Sequence, residues 1–136
     1  NMQLNVLHPG AATDITDTND LSAVMMLEYC GEKILFMGDA GFDGESELLA
    51  SGADVDADIL KVGHHGSRYS SGEDFLSRVS PSYAIISAGR DNRYGHPHED
   101  ALKRIEDCGA RTLNTIDSGA VCVTIEPGGA KIERYR

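Results

Sequence analysis

Asp58-Ile59-Leu60-Lys61-Val62-Gly63-His64-His65-Gly66-Ser67 is the stretch on which the fold turns. Its Ile, Leu and Val run reads as a buried strand, and a Gly-Ser turn then presents two adjacent imidazoles at the strand's open edge. Neutral imidazole is the commonest protein metal ligand, and a strand fixes a ring better than a loop does. The design recurs on either side. Lys33-Ile34-Leu35-Phe36-Met37-Gly38-Asp39 is an apolar run that stops at a glycine and one carboxylate. Ala84-Ile85-Ile86-Ser87-Ala88-Gly89 leads into Asn92-Arg93-Tyr94-Gly95-His96-Pro97. Three strands therefore aim polar groups toward one sheet edge.

Outward from these strands the chain alternates β and α signals. Leu4 to His8 alternates apolar and polar residues and stops at Pro9, as a short strand does. Gly10 to Asp20 is aperiodic and reads as an exposed loop. Ala23 to Cys30 and Lys33 to Met37 form a hairpin about Gly31-Glu32. Phe42 to Ala50 reads as a helix with Asp43 suited to capping and Gly52 as its stop. Ser70 and Glu73 have capping-box spacing ahead of a helix that buries Phe75, Leu76 and Val79 and ends at Pro81. Tyr83 to Ser87 is a strand. A third helix opens at His96-Pro97-His98-Glu99 with proline in first position, and Gly109 closes it. Arg111 to Thr115, Ala120 to Ile125 and Ala130 to Tyr135 are closing strands separated by tight turns. The sum is an α/β layered fold with a mixed sheet and about three helices.

The chain has 136 residues, enough for a single domain. A formal charge of −10 and a pI near 4.7 exclude a generally basic nucleic-acid surface. An acidic chain can still handle phosphate esters if divalent cations bring the positive charge. Cys30, Cys108 and Cys122 lack CxxC spacing and lie in or beside apolar runs, so they are expected as buried or half-buried thiols. No run is long enough to span a bilayer. The first strand lacks an opening partner and follows the leader Asn1-Met2, so residues 1–136 are expected to form a single, incomplete domain.

A cation needs carboxylate and imidazole donors at about 2.0–2.2 Å. Asp39 and His64 meet that need if their strands are neighbours, and Asp39 is suited to bridge two ions. Taken alone, Asp39 reads more readily as a turn-forming residue after a glycine; paired with the histidine strand, the ligand reading prevails. Adjacent strand residues point to opposite faces, so His64 is favoured as the ligand and His65 as its neighbour or a substrate contact. Ser67 offers a hydroxyl and an N–H to an oxyanion, or is an ordinary turn serine. His96 reads as a proton donor or phosphate contact, or as a helix cap. His98 reads as a first-turn surface residue and His8 as a loop-edge histidine that could ligate. There is no GxSxG elbow, Walker loop or GxGxxG, which leaves metal-activated water as the nucleophile.

Leu35 to Asp39, Leu60 to Ser67 and Ser87 to Pro97, followed by Asn114 to Val121, together resemble the metallo-β-lactamase-fold domain of ComEC-type competence proteins. The resemblance implies the second half of an αββα sandwich, with Asp39 as the late bridging aspartate and His64 as the final metal-binding histidine. It also implies a metal-dependent hydrolase of DNA phosphodiesters, carrying two zinc or manganese ions, at the outer face of a membrane-embedded uptake channel. The alternatives are another hydrolase of the same fold, such as a lactonase or phosphocholine esterase, or a non-catalytic binding half-domain. The superfamily's HxHxDH cluster does not occur in this sequence, and only His8 or Asn19 lies near the place of its middle histidine. The fragment alone is therefore expected to be soluble, to bind metal weakly, to hydrolyse little, and to self-associate through the face meant for an N-terminal half.

Overall fold

A computed structural model describes residues 1–135. Three strands open it as an antiparallel meander: β1 (Gln3–His8), β2 (Val24–Tyr29) and β3 (Glu32–Phe36). The β2–β3 turn is Cys30-Gly31 rather than Gly31-Glu32. Both turn residues have positive φ, 51° and 87°, the geometry that follows strand twist in a two-residue hairpin. Glu32 is thereby free to pair with Tyr29.

From β3 onward the chain alternates strictly. Helix α1 (Phe42–Ala50) precedes β4 (Ile59–Lys61), α2 (Glu73–Val79) precedes β5 (Tyr83–Ile86), and α3 (Glu99–Asp107) precedes β6 (Arg111–Asn114). Strands β3 to β6 are mutually parallel, because each helical crossover returns the chain to the same starting edge. The sheet order is β1-β2-β3-β4-β5-β6, a mixed sheet. Beyond it, one helical turn, α4 (Thr115–Ser118), leads to the hairpin β7 (Ala120–Glu126) and β8 (Gly129–Tyr135). Thr115 to Ser118 was expected to finish a strand and make a turn. Asn114 instead caps the helical turn by accepting the Ile116 N–H, and Gly119 ends it at φ 70°.

Period-two burial shows which face of the sheet is covered. Val24, Met26, Leu35, Leu60, Ala84 and Ile86 pack beneath Leu48 of α1, Phe75, Leu76 and Val79 of α2 and Ile105 of α3. Phe75, Leu76 and Val79 are the α2 positions that the apolar spacing selected. All three cysteines are free thiols and Cys108 is half-buried, as expected, but Cys30 and Cys122 depart from expectation in being exposed. Cys30 occupies a hairpin turn, and Cys122 lies on the open side of a two-stranded ribbon.

The starts of α1 and α2 also differ from the sequence reading. Neither the Asp43 cap nor the Ser70–Glu73 box forms, and the N-cap residues are Gly41 and Gly72, neither with a side chain to offer. Carboxylates from distant elements satisfy the open N–H groups instead. Asp20 Oδ1 accepts from Gly41 and Gly44 at 2.6 and 3.0 Å, and Glu45 accepts from Ser71 and Gly72. Ser70 Oγ donates inward to the Gly63 and Ser67 carbonyls. Helix α3 starts at Glu99, with His98 at the N-cap position and Pro97 outside it.

Candidate functional site

Because β3, β4 and β5 are parallel, their carboxyl ends meet at one edge, where α/β sheets commonly place ligands. Asp39 follows β3, His64 and His65 follow β4, and Ser87 follows β5. Two glycines allow the approach. A Cβ on Gly63 would fall 2.5 Å from the Ala40 carbonyl oxygen, and one on Gly38 would fall 2.8 Å from Ser22 Cβ. The His64 N–H reaches the Gly38 carbonyl at 3.0 Å, and the Asp39 N–H reaches Ser22 Oγ at 3.0 Å.

His64 and His65 do not continue the strand. β4 ends at Lys61, and both histidines lie in a tight turn with left-handed backbone, φ 47° and 54°. The opposite-face argument therefore does not hold, and it is His65 that faces Asp39. Its Nε2 lies 3.4 Å from Asp39 Oδ1, and its Nδ1 is 2.7 Å from the Ser87 carbonyl oxygen. A carbonyl only accepts, so Nδ1 carries the proton, and in the neutral ring Nε2 turns its lone pair toward a carboxylate. Two acceptors in that position call for a proton or a cation between them. A ring whose other N–H is anchored on a backbone carbonyl is the usual posture of a metal-ligating histidine.

The remaining histidines gather on the Asn92–His98 loop. The His96 ring lies 5.5 Å from that of His64 and 6.3 Å from that of His65, and His98 meets it edge-on at 4.9 Å. Asn92 holds the loop closed: its amide donates to the Gly89 and His96 carbonyls, and its oxygen accepts the His96 N–H. Burial, reinforced by His98, His64 and His65 and opposed by Asp39, lowers the pKa of the His96 imidazole from its ordinary value. Gly66 locks this loop to the histidine turn. Its φ is 80°, its carbonyl accepts the His98 N–H at 2.9 Å, and a Cβ there would stand 2.7 Å from Pro97 Cβ. His98, expected as a surface residue, accepts the Arg68 N–H on Nδ1.

Two candidates turn away from this opening. Ser67 is 3% exposed; its N–H donates to the His64 carbonyl and its Oγ accepts from Tyr69, so both groups offered to an oxyanion are engaged within the turn. His8 is buried at the end of β1, with Nδ1 at 3.2 Å from the Ser22 carbonyl and Nε2 at 3.3 Å from Glu47 on α1. Asn19 shapes its own loop, its N–H donating to Asp17. Lys61 was passed over by the sequence reading as a strand residue. Burial lowers its ammonium's pKa while the Asp39 carboxylate opposes that shift. Its period-two position, opposite to Leu60, was the signal that it leaves the helical face.

Among the described residues, no three His, Cys, Asp or Glu side chains converge closely enough to enclose a cation. Asp39 and His65 fit a divalent ion as two donors of a site that takes three or four protein ligands.

The sequence profile of the Metallo-beta-lactamase superfamily matches residues 9–90, the span from the end of β1 to just past β5. The chain is 40% identical to ComE operon protein 3 of Bacillus subtilis over 88% of its own length and 15% of that protein's. It is 37% identical to Competence protein ComA of Neisseria gonorrhoeae, covering 96% of the chain and 19% of the relative. Recombination protein 2 of Haemophilus influenzae is 32% identical over 99% of the chain and 17% of its own length. The chain thus spans less than a fifth of these relatives. A profile match across the strands that carry Asp39, His64 and His65, with ComEC-type competence proteins as homologues, places this chain in the metallo-β-lactamase superfamily.

Proposed function

We propose that this chain carries part of the metal site of a hydrolase that cleaves phosphodiesters during competence-type DNA uptake. The observation that carries the reading is the Asp39–His65 pair, a carboxylate and an anchored imidazole 3.4 Å apart at the carboxyl edge of parallel strands. Superfamily membership and competence relatives support metal-dependent hydrolysis and the DNA substrate respectively.

When bound, a divalent cation such as zinc or manganese supplies an activated water and neutralises charge on the phosphate. Asp39 and His65 would hold it from this chain, and His64, expected as the ligand, lies beside them in the same turn. His96 has a ring N–H with which to contact a phosphate or leaving oxygen. The further ligands, including those of a second ion, come from protein outside these 136 residues. In the membrane-associated setting proposed for such a protein, the domain works at the extracytoplasmic face. No helix among the described residues is long and apolar enough to cross a membrane.

The test is manganese- and zinc-dependent cleavage of DNA by the longer protein, compared with its Asp39→Ala and His65→Ala variants. Loss of cleavage in both, with the fold retained, supports the reading. Undiminished cleavage in both removes it.

A further inference from the structure

Beside the Asp39–His65 pair, a shallow pocket of about 280 Å3 is lined by His65, Ser87, Ala88, Gly89, Asn92, Tyr94 and His96. Of its lining, the cleavage reading uses only His65 and His96. We infer that this pocket receives one nucleobase of single-stranded nucleic acid, stacked against Tyr94 and His96, so that the neighbouring phosphodiester is presented to Asp39 and His65. The inference rests on the phosphodiesterase reading for the reaction, but its own evidence is separate.

That evidence is shape and chemistry. The His96 ring is nearly parallel to that of Tyr94, 20° apart with centroids at 5.6 Å, and to that of His65, 19° apart at 6.3 Å, so a base extends this stack from outside and does not enter between its members. Parallel aromatic faces around an apolar recess suit a planar ring, and base–aromatic stacking tolerates any base because each has a π face. The floor is backbone and small side chains, Ala88 and Gly89, and a Cβ on Gly89 would meet nothing within 4 Å. The volume is at the low end for small-molecule pockets, which suits one ring system and excludes a duplex. A base can enter only if it is unstacked from its own strand.

The charge pattern agrees. In a chain of net charge −10, Arg90 and Arg93 are exposed and adjoin the lining residues Gly89, Asn92 and Tyr94 in sequence, with Asp91 between them. Arg93 sits over the Tyr94 ring at 4.9 Å and donates to its hydroxyl, so a cation is carried at the mouth of the stack. Arg90 is anchored on the Ile116 carbonyl. Guanidinium groups beside aromatic faces form the usual surface for a single strand, one holding phosphate and the other holding base.

The experiment measures binding, by fluorescence anisotropy at low salt with chelator present, of two labelled oligomers about twelve units long. One is oligo-dT and the other is an abasic strand of equal charge. Oligo-dT is expected to bind about tenfold tighter. Gly89→Val, which adds an isopropyl group to the lining of the recess at a position without positive φ, and Tyr94→Leu are expected to abolish that difference, whereas Tyr94→Phe keeps it. Arg93→Gln should weaken both strands alike and flatten the salt dependence. Equal binding of the two strands by the unaltered chain, or a base preference that survives in folded Gly89→Val, overturns the inference. Should Tyr94→Leu fail to fold, Gly89→Val decides. A base preference without Asp39-dependent cleavage would sink the hydrolase alone, and cleavage without base preference would sink the pocket alone.

Discussion

Glu45 offers the sharpest quantitative test of how this fold is held. Its carboxyl is 3% exposed on α1 and accepts the Ser71 and Gly72 N–H groups that open α2. Burial pushes its pKa from 4.5 up to about 7, against the opposing pull of those two N–H donors and the Arg104 guanidinium; Asp20 adds to the rise. The folded state therefore holds this proton over a range where the unfolded chain has released it. Stability contributed by Glu45 is full below about pH 4.5 and is lost as pH rises through about 7. Two and a half units at 1.36 kcal/mol each make that loss about 3 kcal/mol. Urea unfolding of the native chain and of Glu45→Gln, at about pH 4 and about pH 8, isolates the effect, since other carboxyls cancel in the difference. The advantage of the native chain over Glu45→Gln should shrink by about 3 kcal/mol on going to the higher pH. A difference that stays constant, or grows with pH as a charged helix cap would make it, refutes the reasoning.

Gly66→Ala should cost about 2–4 kcal/mol in chemical denaturation, from a left-handed backbone plus the clash with Pro97 Cβ, while Gly31→Ala, equally left-handed but in open space, costs only about 1 kcal/mol. Calorimetric titration of manganese or zinc into this chain should give weak binding, weakened at least several-fold further by His65→Ala; binding indifferent to that change would leave the facing acceptors at 3.4 Å without a cation to explain them. Asn92→Ala removes three hydrogen bonds from the His96 loop and should cost about 1–3 kcal/mol, with the His96 ring resonance losing its dispersion from free imidazole. β1 lies at the end of the sheet and exposes Leu4 and Val6, so the chain should self-associate in sedimentation velocity, and Leu4→Lys should shift it toward monomer.

The residue types and their spacing were enough to find the elements and the edge at which they end. Apolar runs, each stopped by glycine, marked β3, β4 and β5, and helical spacing marked Phe75, Leu76 and Val79 as core. The convergence of Asp39 with the histidine pair followed from those strand ends. What could not be read was which histidine faces the carboxylate. Strand alternation favoured His64, yet the positive φ of both residues rolls the pair into a turn and brings His65 round. A non-glycine left-handed pair has no propensity signature; it is imposed by the Gly38 carbonyl, the Ser87 carbonyl and the packing of Gly66 on Pro97.

The helix starts teach the same division. Asp43 and the Ser70–Glu73 spacing satisfy local capping rules, but Asp20 and Glu45 reach the open N–H groups from elsewhere in the chain. Local sequence determined where strands and helices form, because period and punctuation act over a few residues. Only the tertiary structure decided which carboxylate meets which N–H and which imidazole meets Asp39, because those contacts join residues some twenty or more positions apart and exist only once the sheet has assembled.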